Sequence, residues 1–166
     1  MTEKRAPTMY PDALMSSRTA AAAQDLGSAR VLLADSRSEQ RGLIRSFLGQ
    51  RGYDTVEEVE AGAVLPALEA HAIDIVIVAA GLDGGADAAV AAVREERRYA
   101  DVPIIFIAGS EDATAPKGSD DLVPTPVDPR ALLDKVRGAL RTRRSLLGME
   151  QAHAVVASLA NELLAP

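Results

Sequence analysis

The run Asp74-Ile75-Val76-Ile77-Val78-Ala79 limits what this chain can fold into more than any other stretch. A strand with one wet face alternates polar and apolar side chains, whereas five consecutive apolar residues need cover on both faces. Helices on both sides of a parallel sheet supply that cover. Two further runs have the same character: Val31-Leu32-Leu33-Ala34, which ends in Asp35, and Val102-Pro103-Ile104-Ile105-Phe106-Ile107-Ala108. The stretches between them carry helical signals. Leu43, Ile44, Phe47 and Leu48 recur at helical spacing, Ser36 with Glu39 three residues on predicts a capping box, and Gly52 closes the helix. Tyr53 to Glu60 is more polar and alternates about Val56 and Val59, which predicts an edge strand. Ala63 to His71 reads as the second helix, with Pro66 tolerated in its first turn. Ala86 to Arg98 reads as the third, with Ala89, Val90 and Val93 inward and Arg94 to Arg98 as a solvated charged end. Between Gly109 and Asp121, Pro116 and Gly118 stand without an apolar stripe, so a loop or single turn is expected where a βα repeat calls for a helix. Asp121-Leu122-Val123 is then a short fifth strand, and Asp128-Pro129 caps a last helix through Leu132, Leu133, Val136 and Leu140. Strands alternating with helices imply a parallel sheet with right-handed crossovers.

Composition removes several functions. Zero Cys excludes disulfides, thiolate nucleophiles and Cys-ligated zinc, and His71 and His153, the only imidazoles, are too far apart in sequence to suggest a His-rich metal site or a Ser-His-Asp triad. The formal net charge of −6 argues against a nucleic-acid partner, and the one basic run, Arg137 to Arg144, reads first as a solvated helix face and second as a contact for an acidic partner or lipid. No stretch approaches the ~18 apolar residues of a membrane span, and the N-terminus lacks the apolar centre of a signal peptide, so a cytoplasmic protein without a membrane partner is expected. Three segments follow: an N-terminal arm over 1–28, with a weak helix from Asp12 to Leu26 and a second reading as a docking arm; a domain over 29–143; and an amphipathic helix over 144–166.

From Arg30 to about Arg143 the chain resembles the CheY-like receiver domains of two-component response regulators. The resemblance rests on Val31-Leu-Leu-Ala-Asp35 followed by Arg41, on Gly52-Tyr53, on Asp74-Ile-Val-Ile-Val, on Val102-Pro-Ile-Ile-Phe-Ile and on Thr125-Pro126-Val-Asp-Pro-Arg-Ala-Leu132. It implies a flavodoxin-like, doubly wound five-stranded parallel sheet in the order 2-1-3-4-5, here with a shortened or missing fourth helix, a C-terminal helical extension and a cis Thr125–Pro126 bond. In that family two acids end strand one, an Asp phosphoacceptor ends strand three, a hydroxyl residue follows strand four, and a Lys precedes the Pro after strand five. Carried over, these positions fall on Ala34 and Asp35, on Ala79, on Ala108 and on Thr125, with the aromatic switch residue of strand five on Leu122. Only Asp35 keeps its chemistry. A methyl group cannot accept a phosphoryl group, and one carboxylate is a poor anchor for Mg²⁺. Asp35 is thus a weak metal candidate at most, its leading reading being a charge near the first helix; Asp83 reads as a turn residue, and no cofactor is expected. The resemblance implies a degenerate pseudo-receiver without enzymatic activity, similar to the second receiver of some diguanylate cyclase regulators.

Beyond the domain, Met149, Ala152, Val156, Leu159 and Leu163 step by 3, 4, 3 and 4, as a and d positions of a heptad do. Gly148 reads as a joint before this second helical segment. Two outcomes are open: the segment folds back on its own domain, or it associates with a second copy or a partner helix. The leading expectation is a phosphorylation-independent signalling module that binds a signalling protein or itself through this helix. The alternatives are a small-ligand sensor using the Gly84-Gly85 loop as a phosphate site, and a piece of a larger regulator.

Overall fold

The computed structural model describes residues 29–165, so the expected arm over 1–28 lies outside the described residues. In chain order the elements are β1 (Arg30–Ala34), α1 (Ser38–Gly49), β2 (Asp54–Glu58), α2 (Ala61–Ala70), β3 (Ile75–Ala79), α3 (Ala86–Glu95), a 3-10 turn (Arg97–Tyr99), β4 (Ile104–Ile107), β5 (Asp121–Val123) and α4 (Pro129–Leu164). All four strand pairings are parallel, in the order β2-β1-β3-β4-β5. The flavodoxin-like topology implied by the resemblance is therefore the observed one.

Successive strand residues point to opposite faces, and each face builds its own core. Leu32, Val76, Val78, Ile104 and Phe106 pack against Val64 and Leu68 of α2 and Val90 and Val93 of α3. Leu33, Ile75, Ile77, Ile105 and Ile107 pack against Ile44 and Leu48 of α1 and Leu132, Val136 and Leu140 of α4. Every residue of β3 is buried, as its composition demands. The edge strand β2 is only half buried.

The structure corrects five local readings. The α1 N-cap is Arg37 and makes no side-chain cap bond, because the Ser36 hydroxyl is engaged elsewhere. Leu43, one of the four apolar residues at helical spacing, lies off the buried face and is 68% exposed. Pro66 lies inside α2 rather than in its first turn, because the helix starts at Ala61; the missing N–H forfeits one bond in a helix otherwise held by its buried face. No helix joins β4 to β5, as expected, but Arg94 is not part of a solvated end. Its guanidinium donates to the carbonyls of Gly118, Tyr99, Ala100 and Val102 and pairs with Asp120 at 2.9 Å, tying down the segment a helix would otherwise cover. Gly118 is required there: its φ is +100°, and a Cβ would sit 2.9 Å from the Arg94 Cγ.

The fifth correction concerns α4, one continuous helix of 36 residues that passes through Gly148 without a joint. A helical Gly costs about 1 kcal/mol relative to Ala, and its neighbours Leu146, Leu147, Met149 and Glu150 are good helix formers. Residues 144–165 do not fold back on the domain; all are exposed. The helix is anchored where it leaves the sheet. Arg143, part of the run read as a solvated face, donates to the carbonyl of Asp74 at 2.8 Å and lies 3.7 Å from its carboxylate, whose other oxygen accepts from the Arg30 N–H. The start of β1 and the exit of α4 thus meet at one carboxylate on the amino edge of the sheet.

Candidate functional site

In a parallel α/β sheet the crevice lies beyond the carboxyl ends of the strands, where β1 and β3 run into helices on opposite faces. The register sets Ala34 beside Val78 and Ala79 beside Ile107, so the ends of β1, β3 and β4 form one row. Ala34, Ala79 and Ala108 are at most 1% exposed. The Ala34 and Ala79 methyls belong to the two opposite cores, and neither is presented to the crevice. The loops behind them are closely packed: Ala80 N–H donates to the carbonyl of Ile107, and a Cβ on Gly109 would lie 3.1 Å from the Ala80 Cβ. The Thr125 hydroxyl donates to the carbonyl of Ala108, which staples the end of β5 to the end of β4. The Thr125–Pro126 peptide is cis. Leu122 is partly buried against the α3-side core.

Asp35 is the one charged residue buried completely among the described residues. A carboxylate out of water needs compensation. One oxygen accepts from the Arg37 N–H at 2.9 Å and lies 3.5 Å from the Arg37 Nε; the other has no hydrogen-bond partner. The Arg37 side chain reaches over Gly81, where a Cβ would meet its Nε at 3.4 Å, so that glycine leaves room for the guanidinium. Arg41 approaches from α1, donating to the Asp35 carbonyl and to Glu57. The charge next to Asp35 thus comes from the chain itself. No group of three His, Asp or Glu residues suited to a metal ion occurs among the described residues.

Because Ala34 is the last residue of β1, the side chains that follow the strand are Asp35 and Ser36, one position beyond the pair the resemblance assigned. Ser36 was missed as a site residue. Its hydroxyl donates to the Val59 carbonyl and accepts from the Asp83 N–H, both at 2.7 Å, bridging the loops after β2 and β3. Asp83 contributes backbone rather than carboxylate: its carbonyl accepts from the Ala61 N–H at 2.7 Å, and its side chain is exposed. Gly84, with φ +84°, completes the contact, its Cβ position lying 3.1 Å from the Ala61 Cβ. The capping-box pattern concealed the role of Ser36, because that local motif and the observed long-range bridge use the same hydroxyl. Arg37 had no signal of its own.

A second concavity lies beside the crevice. A groove of about 750 Å³ runs between α1 and the start of α4, lined by Leu43, Phe47, Pro126, Val127 and Leu132 with Arg37 and Glu39 at its rim. The expected interaction residues Met149, Ala152, Val156, Leu159 and Leu163 are far from both, all exposed on the protruding half of α4.

No family model matches the chain. It is 30% identical over 125 residues to the transcriptional regulatory protein AruR of Pseudomonas aeruginosa, covering 69% of this chain and 50% of that protein. It is 28% identical over 114 residues to the CAI-1 autoinducer sensor kinase/phosphatase CqsS of Vibrio cholerae, covering 64% of this chain and 17% of that protein. The chain therefore spans half the length of one curated relative and about a sixth of the other. Among solved structures, the signal receiver domain of an HD domain-containing protein from Pseudomonas fluorescens superposes with a TM-score of 0.64 at 23% identity, over 70% of this chain and 98% of that one. A CheY-like receiver domain from Methanospirillum hungatei superposes with a TM-score of 0.62 at 19% identity, over 70% and 97%. NtrX from Brucella abortus gives 0.68 at 20% identity, over 75% of this chain and 29% of that one. The fold of this chain is the CheY-like fold of response-regulator receiver domains.

Proposed function

We propose that the protein is a phosphorylation-independent pseudo-receiver, a signalling module of a bacterial two-component or phosphorelay pathway that acts by protein–protein contact. The observation that carries this reading is the buried methyl of Ala79 at the end of β3, where a receiver holds its acceptor carboxylate. The crevice around it supports the same reading. Ala108 offers no hydroxyl, the Thr125 hydroxyl is committed to a carbonyl, and Asp35 is covered by Arg37. Ala34, Asp35, Ala79, Ala108 and Thr125 are then the remains of a phosphorylation site whose positions now serve packing. A nucleophile cannot be recovered from a methyl group by any rearrangement of the loops.

Signal output in this reading runs through the surface and the C-terminal half of α4, which supplies dimerisation or partner docking. Residues 29–143 form the domain and 144–166 its output element. The module is cytoplasmic; no helix among the described residues is long and apolar enough to cross a membrane. Incubation with a small-molecule phosphodonor and Mg²⁺, followed by intact-mass measurement, is expected to leave the protein unmodified. A phosphoryl adduct on Asp35 or Asp83 overturns the reading.

A further inference from the structure

The protruding half of α4 carries two observations that together name its occupant. At about 100° per residue, Met149, Ala152, Val156, Leu159 and Leu163 lie roughly 160° around the helix from Leu132, Leu133, Val136 and Leu140, which face the sheet. The two apolar stripes are on opposite sides of one helix, so the chain's own domain cannot cover the second. Met149, Val156, Leu159 and Leu163 are 53–85% exposed.

Carried back toward the domain at heptad spacing, the same seam passes through Ser145, Thr142 and Gly138. None of these obstructs a neighbour. The Thr142 hydroxyl turns back to the Gly138 carbonyl at 3.0 Å, and nothing lies within 4 Å of a Cβ placed on Gly138. The flanks of the seam place no like charges opposite one another where two parallel copies meet. With Met149 at a, the g and e positions that face each other are Arg141 with Leu146, Gly148 with His153 and Val155 with Ala160. Val156 at a and Leu159 at d are the pairing that favours two parallel strands.

We infer that a second copy of this chain covers the seam, as a parallel, in-register two-stranded coil from Gly138 to Leu163, with the two domains abutting along the outer face of α4. Bulky residues pair in the protruding part, and small ones let the helices approach where the domains flank them. The inference rests on the reading of α4 as the output element and assigns its partner. Two heptads of bulky contacts are short for a coiled coil, so the domain-flanked segment adds the rest of the buried surface.

The absence of cysteine from the sequence makes the geometry directly testable. Three single variants of the full chain are made: Met149→Cys, Leu163→Cys and, on the opposite side of the helix, Asn161→Cys. Under mild oxidation the first two are expected to cross-link to themselves with comparable yield and the third at least ten-fold less. Light scattering should give a dimer for the unmodified chain and a monomer for Val156→Glu/Leu159→Glu, with unchanged circular dichroism because both positions are exposed. A monomeric unmodified chain at ~100 µM overturns the inference. So does cross-linking confined to mixtures of Met149→Cys with Leu163→Cys, which reports antiparallel helices. Either failure leaves the phosphodonor result untouched, and a phosphoryl adduct would sink the pseudo-receiver reading without moving the cross-links.

Discussion

The body of this protein and its C-terminal extension are joined by one unbroken helix, yet their side chains follow opposite rules. In the body, α4 turns Leu132, Leu133, Val136 and Leu140 onto the sheet, and each is at most 6% exposed. Beyond Arg143 the same helix exposes Leu146, Met149, Val156, Leu159 and Leu163 to at least 53%. The difference teaches that helicity and burial are decided separately. Propensity carries the helix across Gly148, whereas burial stops where the sheet ends.

Substitutions on the two sides of Arg143 sharpen this contrast or break it. The largest expected effect is in the body: Leu132→Ala removes a side chain only 1% exposed and should cost about 2–5 kcal/mol in denaturant unfolding. Arg94→Ala comes next, because its guanidinium serves four carbonyls and Asp120 on the segment that replaces a helix. About 2–3 kcal/mol is expected, with faster hydrogen exchange at residues 109–120. At the boundary itself, Arg143→Ala loses the bonds to Asp74 and should cost about 1–2 kcal/mol, read by the same unfolding measurement.

A smaller effect belongs to the body surface. Burial pushes the Asp121 carboxyl up, but the hydrogen bonds from Lys135 and the Leu122 N–H together outweigh it and hold the group below the ordinary carboxylate range. The native state therefore releases this proton more readily than the unfolded chain. The stabilisation is present above the unfolded carboxylate range, near pH 4, and is lost as pH falls through the lower native value. The Lys135 pair is half exposed, so the contribution is within roughly 0.2–1 kcal/mol, and Lys135→Ala should reduce that part of the acid dependence. Smallest of all, Leu159→Ala in a dilute, dissociated sample should change stability by less than about 0.5 kcal/mol. If it costs as much as Leu132→Ala there, the extension is packed on its own domain and the contrast fails.

Much of the architecture was legible because burial on both faces leaves a plain mark. The Ile75 to Ala79 run tolerates no wet side, and that alone called for helices on both faces. The missing helix between β4 and β5 was equally plain from Pro116 and Gly118. The details that escaped depend on partners distant in sequence. Ser36 satisfied a local capping pattern while its hydroxyl went to Val59 and Asp83. Arg94 looked like one more solvated cation of a basic helix end until four carbonyls converged on it. At the crevice, the identity of Ala79 and Ala108 was readable at once, but the Thr125 staple and the Arg37 cover over Asp35 were not, because the first joins the ends of β5 and β4 and the second depends on the room that Gly81, after β3, leaves for the guanidinium.

By itself, then, the sequence determined the βα alternation, the alanine at the end of β3 and the spacing of an apolar stripe near the C-terminus. These are properties of residue type and interval, which any conformation of the chain carries. Only the tertiary structure decided that Gly148 continues the helix, that Arg143 fixes it to Asp74, and that the stripe faces away from the domain. The physical reason is one of phase. Where a helical stripe points depends on how the preceding turns are docked against the sheet, and that docking is settled by packing distant residues together.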